Sequence, residues 1–160
     1  MRLSILLICV RPSAHRYVKA HMKVFTSLIS VSALLSGCVP YPIYKTLQPA
    51  AQVKVLDARN QPLQQAEVTL ISNAYPYGYE KGRASKPTQA DGTTSFDSVR
   101  EWRTEVVMLH GAEVFFWNWC IRKEGYATYL TSHRSSKEFE SNLIVRLEPG
   151  VSSLCPKALP

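Results

Sequence analysis

The sequence has little that builds helices. After residue 38, no long stretch places apolar residues at the i, i+3, i+4, i+7 spacing of an amphipathic helix. Its apolar runs also fall short of the roughly 20 residues that a transmembrane helix needs. Acidic side chains are missing from residues 1–37, where Arg2, Arg11, Arg16, Lys19 and Lys23 contribute +5 of the net +7. Of the 19 basic side chains in all, 14 remain beyond that point, against 12 acidic ones. The basic excess therefore belongs to the first segment. The concentrated basic face that phosphate backbones require is lacking, so no nucleic-acid partner is expected. No G-x-S-x-G elbow is present, so a hydrolase reading has no positive support. What remains is 160 residues with 46% hydrophobic and 19% charged content, enough for one globular domain.

The stretch from Met22, "MKVFTSLISVSALLSGC", has a basic start at Lys23 and an apolar region from Val24 to Leu35. Small residues then lead to a cleavage position, which is the layout of a secretory signal over residues 22–37. Leu35-Ser36-Gly37-Cys38 resembles the lipobox of bacterial lipoproteins. That resemblance implies diacylglycerol on the Cys38 thiol, cleavage just before it, and usually acylation of the new amine. One chain holds a membrane marginally, whereas two or three give a stable anchor. Residue 39 is Val rather than Asp, which by the same resemblance points to the outer membrane and a domain facing the periplasm. Residues 1–21 precede a complete signal that has its own Met, so they read as a start-site extension. Cys9, His15 and His21 are set aside with them.

The mature chain reads as strands. Residues 38–50, "CVPYPIYKTLQPA", carry three prolines and suggest an extended, lipidated tether. "QVKVLDA" (52–58) and "AEVTLIS" (66–72) alternate apolar and polar residues and suggest a hairpin-like pair around the Asn60/Pro62 turn. Residues 73–87 are rich in Gly, Pro, Ser and Asn and read as a loop. Asp91-Gly92 marks a turn into a strand that ends at Phe96. "TEVVMLH" (104–110), "AEVFFWNWCIR" (112–122), "YATYLTS" (126–132) and "SNLIVRLEP" (141–149) bring the count to about seven. Short strands at this spacing predict an all-β protein, a single antiparallel β-sandwich over 51–150 with a C-terminal tail at 151–160.

Asp57, Asn60, Pro62, Leu63, Ala66, Val68 and Leu70 match the pattern V-x-D-x-x-G-x-P-L-x-x-A-x-V-x-L, with Asn60 replacing its glycine. Thr88, Asp91, Gly92 and Phe96 match T-x-x-D-G-x-x-x-F, and Gly125-Tyr126 and "LIVRLEPG" follow in order. Residues 51–150 thus resemble the carboxypeptidase regulatory-like domain, a transthyretin-like β-sandwich. The resemblance implies an accessory module without catalysis of its own, which helps fold, orient or dock other parts. Immunoglobulin-like sandwiches share much of this patterning.

Candidate chemistry is sparse. His110-Gly111-Ala112-Glu113 spells H-x-x-E, but zinc catalysis needs three protein ligands and the other mature histidine, His133, has no recognisable partner spacing. On a strand, His110 and Glu113 would also point to opposite faces. His110 reads as a turn residue, and no metal or cofactor is expected. Export leaves Cys120 and Cys155 in an oxidising space, where an even pair bridges. Phe115, Trp117, Trp119 and Ile121 share one strand face and are expected in the core. Phe116 on the other face would lie under the C-terminal tail or mark a partner surface. Tyr75, Tyr77 and Tyr79, with Lys81, Arg83 and Lys86, form an aromatic and basic loop suited to a glycan, a peptide or an acidic partner. The expected role is a membrane-anchored accessory subunit that binds an envelope protein, or alternatively a solute or glycan binder that uses residues 73–87.

Overall fold

A computed structural model describes residues 40–106 and 112–156. Cys38, the signal segment 22–37, the extension 1–21 and His110 lie outside the described residues. The described chain is all-β. Its strands are β1 (Pro40–Gln48), β2 (Ala51–Asp57), β3 (Glu67–Tyr75), β4 (Tyr79–Pro87), β5 (Thr93–Phe96), β6 (Val99–Val106), β7 (Val114–Arg122), β8 (Tyr129–Leu130) and β9 (Asn142–Leu147). One 3-10 turn, Ser136–Glu138, lies between β8 and β9. They form three sheets with strand orders β5-β2-β9, β4-β3-β7-β8 and β1-β6.

The alternation in the sequence explains the core. On β2, Val53 and Val55 are fully buried while Gln52 and Lys54 are exposed, and β9 repeats the pattern with Leu143, Val145 and Leu147. The four-stranded sheet supplies Val68 and Leu70 from β3 and Phe115, Trp117, Trp119 and Ile121 from β7. The two sets form one apolar cluster, with Phe96 and Trp119 in ring contact at 5.6 Å. Burying each such side chain contributes about 1.5–3 kcal/mol.

Several segments differ from the sequence expectation. β2 and β3 are not a hairpin, because they belong to different sheets. Each buries an apolar face, so they meet across the core rather than side by side. The turn between them is nevertheless where expected. The Asp57 carboxylate accepts hydrogen bonds from the backbone N–H groups of Arg59 (2.8 Å) and Gln61 (2.7 Å), and Asn60 takes φ +63°. β9 runs parallel to β2, so the arrangement is not wholly antiparallel. A parallel return needs a long crossover, and β3 to β8 provide it. The 73–87 loop is an ordered hairpin. β3 continues to Tyr75, Pro76–Gly78 make the turn, and β4 pairs along β3 with one bulge at Ser72/Asn73. Pairing with β3 outweighs the weak strand propensity of Gly82 and Pro87.

The segment read as a tether is strand β1, paired antiparallel with β6 from Pro40 to Gln48. β6 starts earlier than the 104–110 strand read from the sequence, and of 126–132 only Tyr129–Leu130 form a strand. The side chain of Gln48 donates to the Asp97 carbonyl and the Trp117 indole N–H donates to the Leu47 carbonyl, so the end of β1 is fixed to the body.

Thr88 explains part of the sequence motif. It is 1% exposed, accepts from the Ala66 N–H at 2.9 Å, and donates to the Leu63 carbonyl at 2.6 Å. It clasps the β2–β3 connection onto the β4–β5 connection. Replacing Thr88 with Val leaves the Ala66 donor buried without a partner, so we expect a loss of about 1–3 kcal/mol. Urea unfolding should show a lower midpoint with an unchanged slope.

Candidate functional site

The outer face of the four-stranded sheet is the most developed surface feature. Strand alternation turns Ile71 and Asn73 on β3, and Asn118 and Cys120 on β7, away from the core. Cys120 is fully buried and bridged to Cys155, with their Cα atoms 5.8 Å apart. This pairing is the one the sequence predicted. Two further contacts fix the C-terminal segment. Thr128 exchanges hydrogen bonds with the Ser153 backbone at 2.8 and 2.9 Å, and Arg83 Nη2 donates to the Pro156 carbonyl at 2.6 Å.

Between this segment and the tip of the β3–β4 hairpin lies a groove of about 320 Å³, lined by Ile71, Asn73, Tyr77, Tyr79, Asn118 and Pro156, among others. Its polar floor is internally engaged. Asn118 Oδ1 accepts from Thr131 Oγ1 (3.0 Å) and the His133 N–H (2.6 Å), and Asn73 Nδ2 donates to the Gly78 carbonyl at 3.1 Å. Arg83 forms a two-point ion pair with Glu80 at 2.9 and 2.8 Å, which raises the guanidinium pKa. The rim is open. Tyr77 is 69% and Tyr79 47% exposed, and their rings stack at 5.5 Å.

The structure divides the residues that the sequence grouped as one binding loop. Tyr77 and Tyr79 line the groove, whereas Arg83 does not line it and only holds two of its lining residues, Glu80 and Pro156. Tyr75 packs on Phe116 at 5.0 Å, and Gly78 also lies close to the Phe116 ring. Phe116 is 7% exposed, which corrects its reading as an open partner surface. The hairpin turn and Tyr75 cover it. Lys81 leaves the loop cluster because of the bulge beside it. Its ammonium pairs with Glu113 at 2.7 Å.

Lys81 thereby joins a charged cluster that the sequence reading missed. The Lys45 ammonium bonds the Glu105 carboxylate and the Glu113 carbonyl. The Glu113 N–H donates to Glu105 at 3.1 Å, and Arg103 pairs with the Glu113 carboxylate at 2.9 Å. Glu105 is 6% exposed, so its charge relies on Lys45. Lys45 lies on β1, Lys81 on β4, Arg103 and Glu105 on β6 and Glu113 just before β7, so only tertiary packing brings them together. The sole local cue is the alternating charge of "REWRTE".

The hydrogen bond from Lys81 holds the Glu113 carboxyl below its ordinary range. Burial opposes this, while the charges of Lys81, Arg103 and Lys45 assist it. Burial pushes the Lys45 ammonium down, and Glu113 partly offsets the shift. A depressed carboxyl stabilises the fold at pH above its unfolded value, and that contribution is lost as pH falls through the folded value. We therefore expect stability to decline on acidification below the ordinary glutamate range. Glu113→Gln should flatten that part of the melting-temperature profile.

Among the described residues, no group of three or more His, Cys, Asp or Glu is placed to hold a metal ion. Glu113 of the H-x-x-E stretch is engaged by Lys81 and Arg103. Among the described residues there is also no helix long and apolar enough to cross a membrane. Compared with family models, with curated proteins and with solved structures, the chain matches none.

Proposed function

We propose that this chain is a lipid-anchored lipoprotein of the cell envelope, held at Cys38 in the outer membrane and facing the periplasm. Its transthyretin-like, carboxypeptidase regulatory-like sandwich serves as a non-catalytic accessory domain that binds another envelope protein. The lipobox-like Leu35–Cys38 stretch supports the anchor. The observation that carries the binding role is the hairpin tip, where Tyr77 and Tyr79 are stacked and exposed on a turn buttressed by Phe116 and Asn73. A rigid aromatic pair gives large contact area at little entropic cost, which is what protein-binding hot spots use. The polar groups behind it are engaged with one another. They serve as a scaffold more readily than as acid, base or nucleophile.

Crosslinking in cells with a photoreactive residue in place of Tyr77 tests this reading. Capture of one discrete membrane-associated protein is expected, and Ala at Tyr79 should weaken it. Crosslinks to the solvent background alone would contradict it.

The groove beside Tyr77 favours a second reading, in which a glycan, peptide or small solute lies against the tyrosines and over Asn73 and Asn118. A saccharide that raises the melting temperature of the native protein, and loses that effect in the Tyr77→Ala variant, would decide for it.

A further inference from the structure

The β1–β6 ribbon has two unlike faces. One carries Lys45, Leu47, Arg103 and Glu105 and packs on the body. The other presents Pro40, Pro42 and Tyr44 from β1 with Arg100, Trp102 and Thr104 from β6, and all six are exposed. Trp102 is 70% and Tyr44 53% exposed, and their rings meet at 5.2 Å. Strand alternation puts both ribbon glutamates, Glu101 and Glu105, on the other face, so among the described residues of the ribbon Arg100 is the one charge on this face.

We propose that this face lies on the phospholipid headgroups of the bilayer that holds Cys38 and fixes the orientation of the domain there. The proposal rests on the lipid-anchor reading above. Only Val39 separates Cys38 from Pro40, so at about 3.3 Å per residue the lipid-bearing residue is within roughly 7 Å of the first strand residue. The ribbon is therefore tethered to the surface with almost no slack. Tryptophan and tyrosine settle at the headgroup level, where an apolar ring meets a polar edge. One arginine and no acid on the face suit anionic headgroups.

A strand-adding protein fits this edge poorly. Pro40 and Pro42 have no N–H to donate, and prolines in a strand are a common guard against the addition of a further strand.

The test uses the mature lipoprotein reconstituted into phosphatidylglycerol–phosphatidylcholine vesicles, with and without bromine on the acyl carbons nearest the headgroup. Trp117 and Trp119 are 9% and 0% exposed, so Trp102 is the tryptophan that lipid can reach. Among three tryptophans, bromolipid should cut emission by roughly a third and leave the Trp102→Phe variant unchanged. An acylated protein whose emission is equally insensitive with and without Trp102 would overturn the proposal alone. An unacylated mass in the same sample would overturn the anchor and the proposal together. Shielding of Trp102 in native membranes but not in pure lipid would assign the face to a protein instead.

Discussion

Removing the Cys120–Cys155 bridge is expected to lower stability by about 4 kcal/mol, the chain-entropy value for a loop of this size. The bridged residues are 35 apart in sequence, so the constraint on the unfolded chain is substantial. For a domain of this size the melting temperature should fall by roughly 15 °C. Cys155→Ala and mild reduction should give similar losses, because both release the C-terminal segment. Among the described residues, the Thr128–Ser153 pair and the Arg83–Pro156 hydrogen bond would then remain to hold it. Cys120→Ser should cost more, since it places a hydroxyl at a fully buried position. Calorimetry of the oxidised and reduced protein checks the series. A reduced protein that melts within a few degrees of the oxidised one would contradict it.

The second large effect is at Gly92. Its φ is +76°, and a Cβ there would lie 2.5 Å from the Val55 carbonyl oxygen and 3.2 Å from Pro62. The same carbonyl accepts from the Leu63 N–H at 3.0 Å, and the Gly92 carbonyl accepts from the Val55 N–H at 2.8 Å. The turn is thus locked to β2 on both sides and cannot withdraw. Gly92→Ala combines a left-handed backbone, about 1–2 kcal/mol, with overpacking of about 1–3 kcal/mol. Gly125 provides the control, since its φ is +83° and a Cβ there meets nothing within 4 Å. Gly125→Ala should show the backbone cost alone. Equal losses in the two variants would show that the contact with β2 contributes nothing.

These two positions also show what was legible in the sequence. Asp57, Asn60, Asp91 and Gly92 could be read because their effects are local, whereas Thr88, which bonds Ala66 and Leu63 far back in the chain, was legible only through the motif it matches. A side chain two to four residues from the N–H it bonds, or a residue that tolerates positive φ, leaves the same signature wherever the turn occurs. Asp91 bonds the Thr93 N–H and hydroxyl in this way, which lowers its pKa. Core alternation on β2, β7 and β9 was legible for the same reason. The cysteine pair followed from counting.

What the sequence concealed depends on partners. Residues 73–87 carry turn-forming residues throughout, yet only Pro76–Gly78 turn, because β3 offers the rest a ladder. Pro40–Gln48 has the composition of a linker, and its strand depends on β6, about sixty residues later in the chain. The parallel β2–β9 pairing has no local signal, since alternation is the same in either direction. The Lys45–Glu105–Glu113 cluster depends on the β1–β6 pairing and on the segment before β7 reaching it. Alternation put Phe116 on the outer face, as found, but a face does not reveal its cover, which is Tyr75 and the hairpin turn.

The measurement that tests the account most directly is the intact, non-reduced mass of the protein from a membrane fraction. The account predicts a chain beginning at Cys38, heavier by its acyl groups and lighter by two hydrogens for the Cys120–Cys155 bridge. A soluble, unacylated product that retains residues 1–37 would contradict it and would restore the basic N-terminus to the charge balance.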